Sequence, residues 1–567
     1  MSGPGESGKT AISANFNTSA KEANAGGLVG LSEGKSSFEE ITIERIIINP
    51  GEEANIGLIV GQVAKSSYGS TIFRNCSVIK SSISKQPLET RKNTNVGGIV
   101  GLADGLVVDN LATTAMFSEI VIDVNAANVG GLVGNCSGEM NIAASISKMQ
   151  ITANNANNAN NAANVGGVVG TAGTLNMTIR DDVILTSSNP TEENYGKIKA
   201  TGTKTIRVGG IVGYTKKGTT ISAVNQTPVR FQTNDIEISG PSVYAGGLVG
   251  QTGNMVSISN VQVNTQGKIK NKVMTITCAG DVTAGGLVGK AESATISECW
   301  SGTDVEIKDS TTNSNITFGG IIGEVGSKST EGAKISIKDN VSYGRFFIAS
   351  DINPISISAG GIAGEAIAKD QNSNAIKDNK TLTSLEIRRH ATGDSAHNVN
   401  AVVGKRNSSI IGGSGNLYTY QLSLAVEKDD GDTSFAKNCN TLSGVGVSDA
   451  NATEGSILKP YENRTVISEN AYYSLSQNIS NMEISSDNFV LVGNGHIISI
   501  PNTHIDTIGE RTILSGLTVG EFGITNLTTK TEVTIEGTTY DYSGSGLKNN
   551  NTSYDFYSDN FWSEEKI

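Results

Sequence analysis

The chain has 567 residues, which exceeds the usual size of one compact core and predicts either several domains or one array of repeats. With 67 Gly, only 9 Pro and 5% aromatic residues, the composition favours an array of short strands joined by tight turns. A formal net charge of -12 argues against a nucleic-acid partner. The sequence also lacks an apolar run of the roughly 20 residues that span a bilayer, which argues against direct membrane insertion.

The first ten residues contain the motif of a phosphate-binding loop. Residues Gly3 to Thr10 read G-P-G-E-S-G-K-T and satisfy the pattern G-x-x-x-x-G-K-[ST]. Such a loop works only between a buried strand and the N-terminus of a helix, and here just two residues precede Gly3. We therefore interpret residues 1–19 as a disordered leader and keep a nucleotide-binding protein as a remote alternative.

Residues 20–404 contain about eleven copies of one pentapeptide, G-G-[LIV]-V-G. Four of them are variants: G-L-I-V-G ends at Gly61, G-G-I-I-G at Gly323 and G-G-I-A-G at Gly364, and the last copy, N-A-V-V-G, has lost its leading glycines. The copies end at Gly30, Gly61, Gly101, Gly134, Gly170, Gly213, Gly250, Gly289, Gly323, Gly364 and Gly404. The spacing between these glycines ranges from 31 to 43 residues and averages about 37. A fixed motif at variable spacing predicts constant strands with insertions in the loops between them.

The segments between the pentapeptides alternate apolar and polar residues, as in Val305-Glu306-Ile307-Lys308. Period two is typical of half-buried strands, and no segment shows a helical period. About three strands per unit, stacked in parallel, predict a β-solenoid. Within the pentapeptide, adjacent apolar residues such as Leu132 and Val133 predict a strand shielded on both faces. The flanking glycines predict a close backbone approach or a tight corner.

This repeat resembles the GLUG motif of large secreted and cell-surface proteins, which include bacterial adhesins and some surface-associated peptidases. The likeness is carried by the pentapeptide and by its N-[AV]-G-G context at Asn95, Asn128 and Asn164. It implies a β-helical extracellular stalk or adhesive surface. It implies no catalytic residue, since the repeats of the peptidase members lie outside their enzymatic part.

Residues 405–567 lack the pentapeptide but keep the alternation, for example in residues 489–500 and from Thr531 to Ile535. Residues 516–524 also resemble β-helix coils of haemagglutinin-like adhesins. We predict a divergent β-rich domain or a continuation of the solenoid. The Asn-rich residues 154–164 are of low complexity and predict a flexible insertion between two strands.

Residue types that could support chemistry are scattered. They are five cysteines without a C-x-x-C (Cys76, Cys136, Cys278, Cys299, Cys439), four histidines (His390, His397, His496, His504), the acidic run 429–432 and the acidic pairs Asp181-Asp182 and Glu192-Glu193. We interpret the cysteines as small apolar residues and the acidic groups as charged loops. We assign no catalytic, cofactor-binding or metal-ligating residue, and no cofactor.

About fifteen N-x-[ST] sequences occur, among them those at Asn75, Asn135, Asn315 and Asn463. Chance in an Asn-, Ser- and Thr-rich chain accounts for most of them. They would matter only in a protein that a eukaryote exports.

The sequence predicts an all-β protein, a parallel β-solenoid with a divergent C-terminal region. Its expected role is structural or adhesive, at the cell surface or outside the cell, with variable loops that bind a host, matrix or cell-surface protein or glycan. The alternative is a β-helix polysaccharide lyase or hydrolase, which would need a cleft lined with carboxylates and aromatic residues. The sequence has only two tryptophans, Trp300 and Trp562, and this weakens the alternative. A leader, an anchor or further domains are expected outside this segment if the protein is exported.

Overall fold

The structure is a computed structural model with side chains. It describes residues 10–13, 23–49, 54–64, 70–84, 93–110, 115–155, 162–179, 182–185, 195–224, 228–233, 235–264, 273–308, 314–326, 334–342, 344–348, 356–368, 375–381, 383–389, 397–406, 411–412, 415–418, 424–428, 456–457, 461–467, 472–474, 476–477, 479–480, 483–484, 490–492, 498–499, 513–515, 531–535, 538–542, 547–549 and 552–553. Among these residues there is no α-helix.

The chain divides into two compact units. The first comprises residues 1–265, 272–416 and 424–455, and the second comprises residues 266–271, 417–423 and 456–567. The first unit is a parallel β-solenoid built from three sheets, which confirms the predicted fold class.

Sheet 1 has eleven strands, and ten of them end at the first glycine position of a pentapeptide. Its strands are Ala23–Gly26, Ala54–Gly57, Asn93–Gly97, Ala126–Gly130, Ala163–Gly166, Thr205–Gly209, Ser242–Gly246, Val282–Gly285, Asn315–Gly319, Ser356–Gly360 and His397–Asn400. Neighbouring strands pair glycine to glycine, as Gly130 does with Gly166. Each repeat unit therefore makes one coil of the solenoid.

Sheet 2 follows the pentapeptide and has nineteen strands. They are Val29–Ser32, Ser37–Glu39, Val60–Val63, Thr71–Arg74, Val100–Ala103, Leu106–Asp109, Val133–Ala143, Val169–Ile179, Val212–Ala223, Val249–Thr252, Met255–Ser259, Val288–Ala291, Ser293–Ser297, Ile322–Gly326, Ile335–Lys338, Ala363–Ile367, Ala375–Lys377, Val403–Arg406 and Ile411–Gly412. Most coils contribute two short strands to this sheet, and three coils contribute one long strand instead.

Sheet 3 closes each coil. In the first unit its strands are Thr10–Ser13, Thr42–Glu44, Ile46–Asn49, Ser77–Ser84, Met116–Val124, Ser145–Asn155, Val183–Ile184, Ile198–Gly202, Val229–Gln232, Ile236–Gly240, Val261–Val263, Val273–Cys278, Trp300–Ser301, Asp304–Lys308, Val341–Ser342, Arg345–Ile348, Lys380–Thr381, Ser384–Arg389 and Leu424–Lys428. A well-formed coil thus has up to five short strands where the sequence predicted about three.

The core lies inside the coils and is lined by apolar side chains from all three sheets. Phe318 of sheet 1 stacks on Phe346 of sheet 3 with ring centroids 4.1 Å apart, so these sheets face each other across the core. Along the stack, Phe38 and Phe73 of adjacent sheet 2 strands stack at 4.8 Å. Residues of one type therefore meet both across a coil and between coils.

The pentapeptide is not one strand, which corrects the sequence prediction. Its first glycine ends a sheet 1 strand, the second glycine and Leu132 lie in a bend, and Val133 begins the next strand in sheet 2. Leu132 and Val133 are both fully buried, as expected, but the cause is the bend that separates them. The backbone N–H groups of both residues donate to the carbonyl of Val168 in the next coil.

The structure describes part of the N-terminal segment and the two ends of the Asn-rich segment. Thr10–Ser13 is a strand paired with Ile46–Asn49, whereas the phosphate-loop residues before Thr10 lie outside the described residues. The Asn-rich residues 154–164, predicted as one insertion, begin inside the strand Ser145–Asn155 and end inside Ala163–Gly166. The prediction is therefore wrong for residues 154–155 and 163–164, and residues 156–161 lie outside the described residues.

The second unit contains small sheets. Parallel pairs join Leu417–Tyr418 with Ser456–Ile457, Val466–Ile467 with Glu483–Ile484, and Ile479–Ser480 with Ile498–Ser499. A parallel sheet contains Tyr461–Glu462, Tyr472–Ser474, Val490–Val492 and Ile513–Ser515, and an antiparallel sheet contains Thr531–Ile535, Thr538–Tyr542, Leu547–Asn549 and Thr552–Ser553. Residues 516–524 lie outside the described residues.

Candidate functional site: the polar seam of the solenoid

The Gly-Gly corner brings sheets 1 and 2 into close contact. A Cβ atom on Gly131 would lie 2.1 Å from the carbonyl oxygen of Gly167 and 2.4 Å from Sδ of Met149. On Gly134 it would lie 2.5 Å from the backbone nitrogen of Val96. Real Cβ atoms do not approach backbone this closely, so in this backbone only glycine fits at Gly131 and at Gly134. Two copies have another residue at the position of Gly131, namely Leu58 and Ala401.

Two columns of mostly polar side chains flank this corner, and we call them together the seam. In sheet 1 the column comprises Asn24, Asn55, Asn95, Asn128, Asn164, Arg207, Tyr244, Thr283, Thr317, Ser358 and Asn398. In sheet 2 it comprises Leu31, Gln62, Leu102, Asn135, Thr171, Tyr214, Gln251, Lys290, Glu324, Glu365 and Lys405. Side chains from the two columns contact each other across the corner, since Thr171 Oγ1 donates to Asn128 Oδ1 at 2.6 Å.

The first half of the seam is a ladder of amides. Asn55 donates from Nδ2 to Oδ1 of Asn24 at 3.0 Å, and Asn95 donates to Asn55 at 2.7 Å. Asn128 donates to Asn95, and Asn164 to Asn128, both at 2.8 Å. Asn55, Asn95 and Asn128 each donate one hydrogen bond and accept one within the ladder, whereas Asn24 only accepts and Asn164 only donates. These bonds provide partners for largely buried amide groups. The asparagine in the repeat context is therefore structural.

The middle of the seam departs from this pattern. Arg207 occupies the next asparagine position, donates from Nη1 to Asn164 Oδ1 at 3.1 Å and from Nε to Gln251 Oε1, and lies 4.6 Å from the ring centroid of Tyr214. Burial lowers the pKa of Arg207, while Tyr214 and Tyr244 act in the opposite direction.

The last part of the seam contains ion pairs. Lys290 Nζ lies 2.7 Å from Glu324, and Lys405 Nζ lies 3.0 Å from Glu365. Burial lowers the pKa of Lys290, but the hydrogen bond and charge of Glu324, together with Tyr244 and Glu365, produce a net rise. Glu324 and Glu365 are register neighbours in adjacent coils, and each carboxylate already has a lysine.

The described cysteines are not placed for nucleophilic or metal chemistry. Cys76, Cys136, Cys278 and Cys299 are buried and unbridged, as expected of small apolar residues, and Cys439 lies outside the described residues. Burial raises the pKa of Cys136 and Cys299 to about 12 and that of Cys278 to about 11, and it also raises the pKa of Cys76. These thiols remain protonated at neutral pH and are poor nucleophiles.

The other candidate residues are dispersed. Asp182 forms an ion pair with Arg230 at 2.6 Å, Trp300 is half-buried in sheet 3, and His397 begins a strand of sheet 1. Outside the described residues lie Asp181, Glu192, Glu193, the run 429–432, Trp562, His390, His496 and His504. Within the described part, no three His, Cys, Asp or Glu side chains are grouped to hold a metal ion. The described residues also include no helix long and apolar enough to cross a membrane.

Sequence reasoning missed Arg207, Tyr214 and Tyr244. The available signal was the register of the repeats, because Arg207 precedes Val208-Gly209 at the position where the five preceding copies have asparagine. Comparison with known proteins adds no assignment. No protein-family model matches the chain, and no curated protein and no solved structure is significantly similar to it.

Proposed function

We propose that the protein is an extracellular or cell-surface scaffold whose stacked coils present variable loops for binding a host, matrix or neighbouring-cell surface. The observation that supports this is the constancy of register despite variable chain length. Gly26 pairs with Gly57 across 31 residues, and Gly166 pairs with Gly209 across 43 residues. Added residues are therefore accommodated between strands without disturbing the sheets, as in other solenoids whose loops bind ligands.

We propose that binding depends on the residues between strands, which form shorter segments than the variable ranges of the sequence. The spacing of the repeats predicts that the loops free to vary include residues 153–163, 186–204, 265–272 and 366–380. Several of these ranges include strand residues, such as the strand Ile198–Gly202 and the end of the strand Ala363–Ile367. The residues between strands are 156–162, 185–197, 264–272 and 368–374. Resemblance of the repeat to the GLUG motif of surface proteins gives further support to an adhesive role.

The test is removal of one such segment with the strands kept intact. Deletion of residues 156–161 should leave the β circular-dichroism signal and the melting temperature unchanged. The deletion removes no residue of the strand Ala163–Gly166, which pairs with Ala126–Gly130 through Asn164 and Asn128. Attachment of protein-coated beads to host cells or matrix should fall. The matched control replaces residues 156–161 by Gly and Ser at equal length, which keeps the chain length but removes the native side chains.

If the wild type binds no surface, or if every such deletion leaves binding intact, the adhesive role is wrong and the repeats are a passive stalk. The alternative of a β-helix polysaccharide lyase or hydrolase requires a pair of carboxylates in a cleft. It predicts new reducing ends or unsaturated products from a polysaccharide panel, which the scaffold does not. The remote alternative of a nucleotide-binding protein predicts ATP binding that Lys9→Ala abolishes.

A further inference from the structure

Arg207 is a partly buried cation with few acceptors in the described part of the chain. A guanidinium has five N–H groups. Two of those on Arg207 donate to neutral amide oxygens of Asn164 and Gln251. Within the described part of the chain, the remaining three have no acceptor and no carboxylate lies within 4.0 Å.

The rest of the seam shows how unusual this is. The two lysines of the seam have carboxylate partners, Glu324 for Lys290 and Glu365 for Lys405. In the described part of the chain, Arg207 instead contacts the amides of Asn164 and Gln251 and the face of Tyr214. Burial lowers its pKa, and the two groups that oppose this are both tyrosines. A guanidinium stays charged in proteins, and no carboxylate among the described residues pairs with this one to compensate its partial removal from water.

We propose that Arg207 binds an oxyanion, the carboxylate or sulfate of an acidic saccharide, in the seam. The planar fork of a guanidinium matches two oxygens of such a group. The amides of Asn164 and Gln251 and the ring of Tyr214 contact Arg207, and Tyr244 is its register neighbour in the next coil. These neutral polar and aromatic groups suit sugar hydroxyls. An anion here supplies the missing counter-charge.

The site does not depend on the variable loops. Arg207 lies in the sheet 1 strand Thr205–Gly209, and Tyr214 and its neighbours lie in the sheet 2 strand Val212–Ala223. Because the chain has a net charge of -12, general attraction of polyanions is not expected. Binding would therefore depend on Arg207 itself. An experiment can disprove this site without disproving the adhesive role of the loops, and the reverse also holds.

The test compares variants of the full chain by isothermal titration with glucuronate, inorganic sulfate, inorganic phosphate and a hyaluronan oligosaccharide. Arg207→Asn places an asparagine after Asn164 and extends the amide ladder, so the melting temperature should not fall. Arg207→Gln is a second variant that keeps an amide but not the charge. Lys216→Asn removes the same charge from an exposed position in the adjacent strand and is the matched control.

We expect saturable binding of at least one oxyanion by the wild type and by Lys216→Asn, weakened roughly 10-fold or more in both Arg207 variants. Tighter binding of hyaluronan than of glucuronate would support a polymeric saccharide as the ligand. Phosphate binding as tight as that of either saccharide would overturn the assignment to a saccharide and leave a small-anion site. Absence of saturable binding in the wild type overturns the proposal. Equal binding by folded Arg207→Asn does so as well.

Discussion

Buried asparagines at the corners of the coils account for some of the N-x-[ST] sequences in this chain. Asn340 and Asn379 each begin an N-x-[ST] sequence, yet both are fully buried at a corner between sheets 2 and 3. Asn340 donates to Asn379 Oδ1 at 3.0 Å, and Asn379 donates to Asn416 Oδ1 at 3.1 Å. The hydroxyl residue two positions later, Ser342 or Thr381, is buried as well. The repeat itself thus generates sequons that no glycan could occupy.

Surface sequons differ from these. Asn315 is exposed, and Asn75 and Asn135 are half-buried. Asn75 has a left-handed backbone conformation with φ of 52°, which asparagine tolerates better than most residues. The structure therefore separates asparagines that build corners from one that reaches solvent, although the sequence pattern is the same.

Asp235 predicts a pH dependence of stability. Burial raises the pKa of its carboxyl group from 3.8 to about 6, Lys197 opposes this rise, and Glu237 adds to it. The folded state therefore binds a proton more tightly than the unfolded state. Stability from this group is present below about pH 4 and is lost as the pH rises towards and through 6.

We expect Asp235→Asn to raise the melting temperature relative to wild type at pH 7.5 and to have little effect at pH 3.5, because the asparagine is neutral throughout. Thermal denaturation at the two pH values measures this. Asp339→Asn is the control, since Asp339 is exposed and asparagine also tolerates its left-handed backbone. A stabilisation by Asp235→Asn that is equal at both pH values would contradict the assigned pKa shift.

At the scale of the element, strands could be predicted where alternation was strict. Ile335–Lys338 is a strand, and the alternating residues 305–308 lie in the strand Asp304–Lys308. The prediction rests on local geometry, because successive residues of a strand point to opposite faces. No contact between distant residues is needed to recognise it.

Corners could not be predicted in the same way. Asn260, Glu298, Asp339 and Asp378 have φ between 55° and 57° and turn the chain from sheet 2 to sheet 3. A glutamate in this conformation is uncommon, and nothing in its local sequence marks it. The pentapeptide was mistaken for a strand for a related reason. Two adjacent buried residues are equally compatible with a covered strand and with a bend.

The corner predicts a sharp difference between glycines. Gly131→Ala should lower the melting temperature, because the added Cβ would lie 2.1 Å from the backbone oxygen of Gly167. The expected cost is about 1–3 kcal/mol or more, as for other overpacked sites. Gly202→Ala is the control, since its Cβ would make ordinary contacts no closer than 3.4 Å. Chemical denaturation of both variants measures the difference, and equal effects would contradict the packed corner.

For the whole molecule, the array could be predicted and the seam could not. The recurrence of the pentapeptide predicts stacking, since a unit with one apolar face needs neighbours. Arg207 and Tyr214 are close only because a strand of sheet 1 and a strand of sheet 2 meet at the corner. The sequence also left open whether a unit makes one coil or two, because either accommodates about 37 residues.

The most direct test of the account is a disulfide between adjacent coils. Ser257 and Thr295 are register neighbours on sheet 2, and both are half-exposed. Strands of one sheet lie about 4.8 Å apart, within the roughly 4.4–6.8 Å between Cα atoms that a disulfide needs. Ser336 is the register neighbour of Thr295 and so lies two coils from Ser257, at roughly 10 Å.

With one coil per repeat, the double variant Ser257→Cys and Thr295→Cys should crosslink under mild oxidation, as read by peptide mapping without reduction. The pair Ser257→Cys and Ser336→Cys should not. If each repeat made two coils, residues of adjacent repeats would lie too far apart, and the first pair would stay reduced. That result, in a variant with wild-type circular dichroism, would contradict the single-coil solenoid.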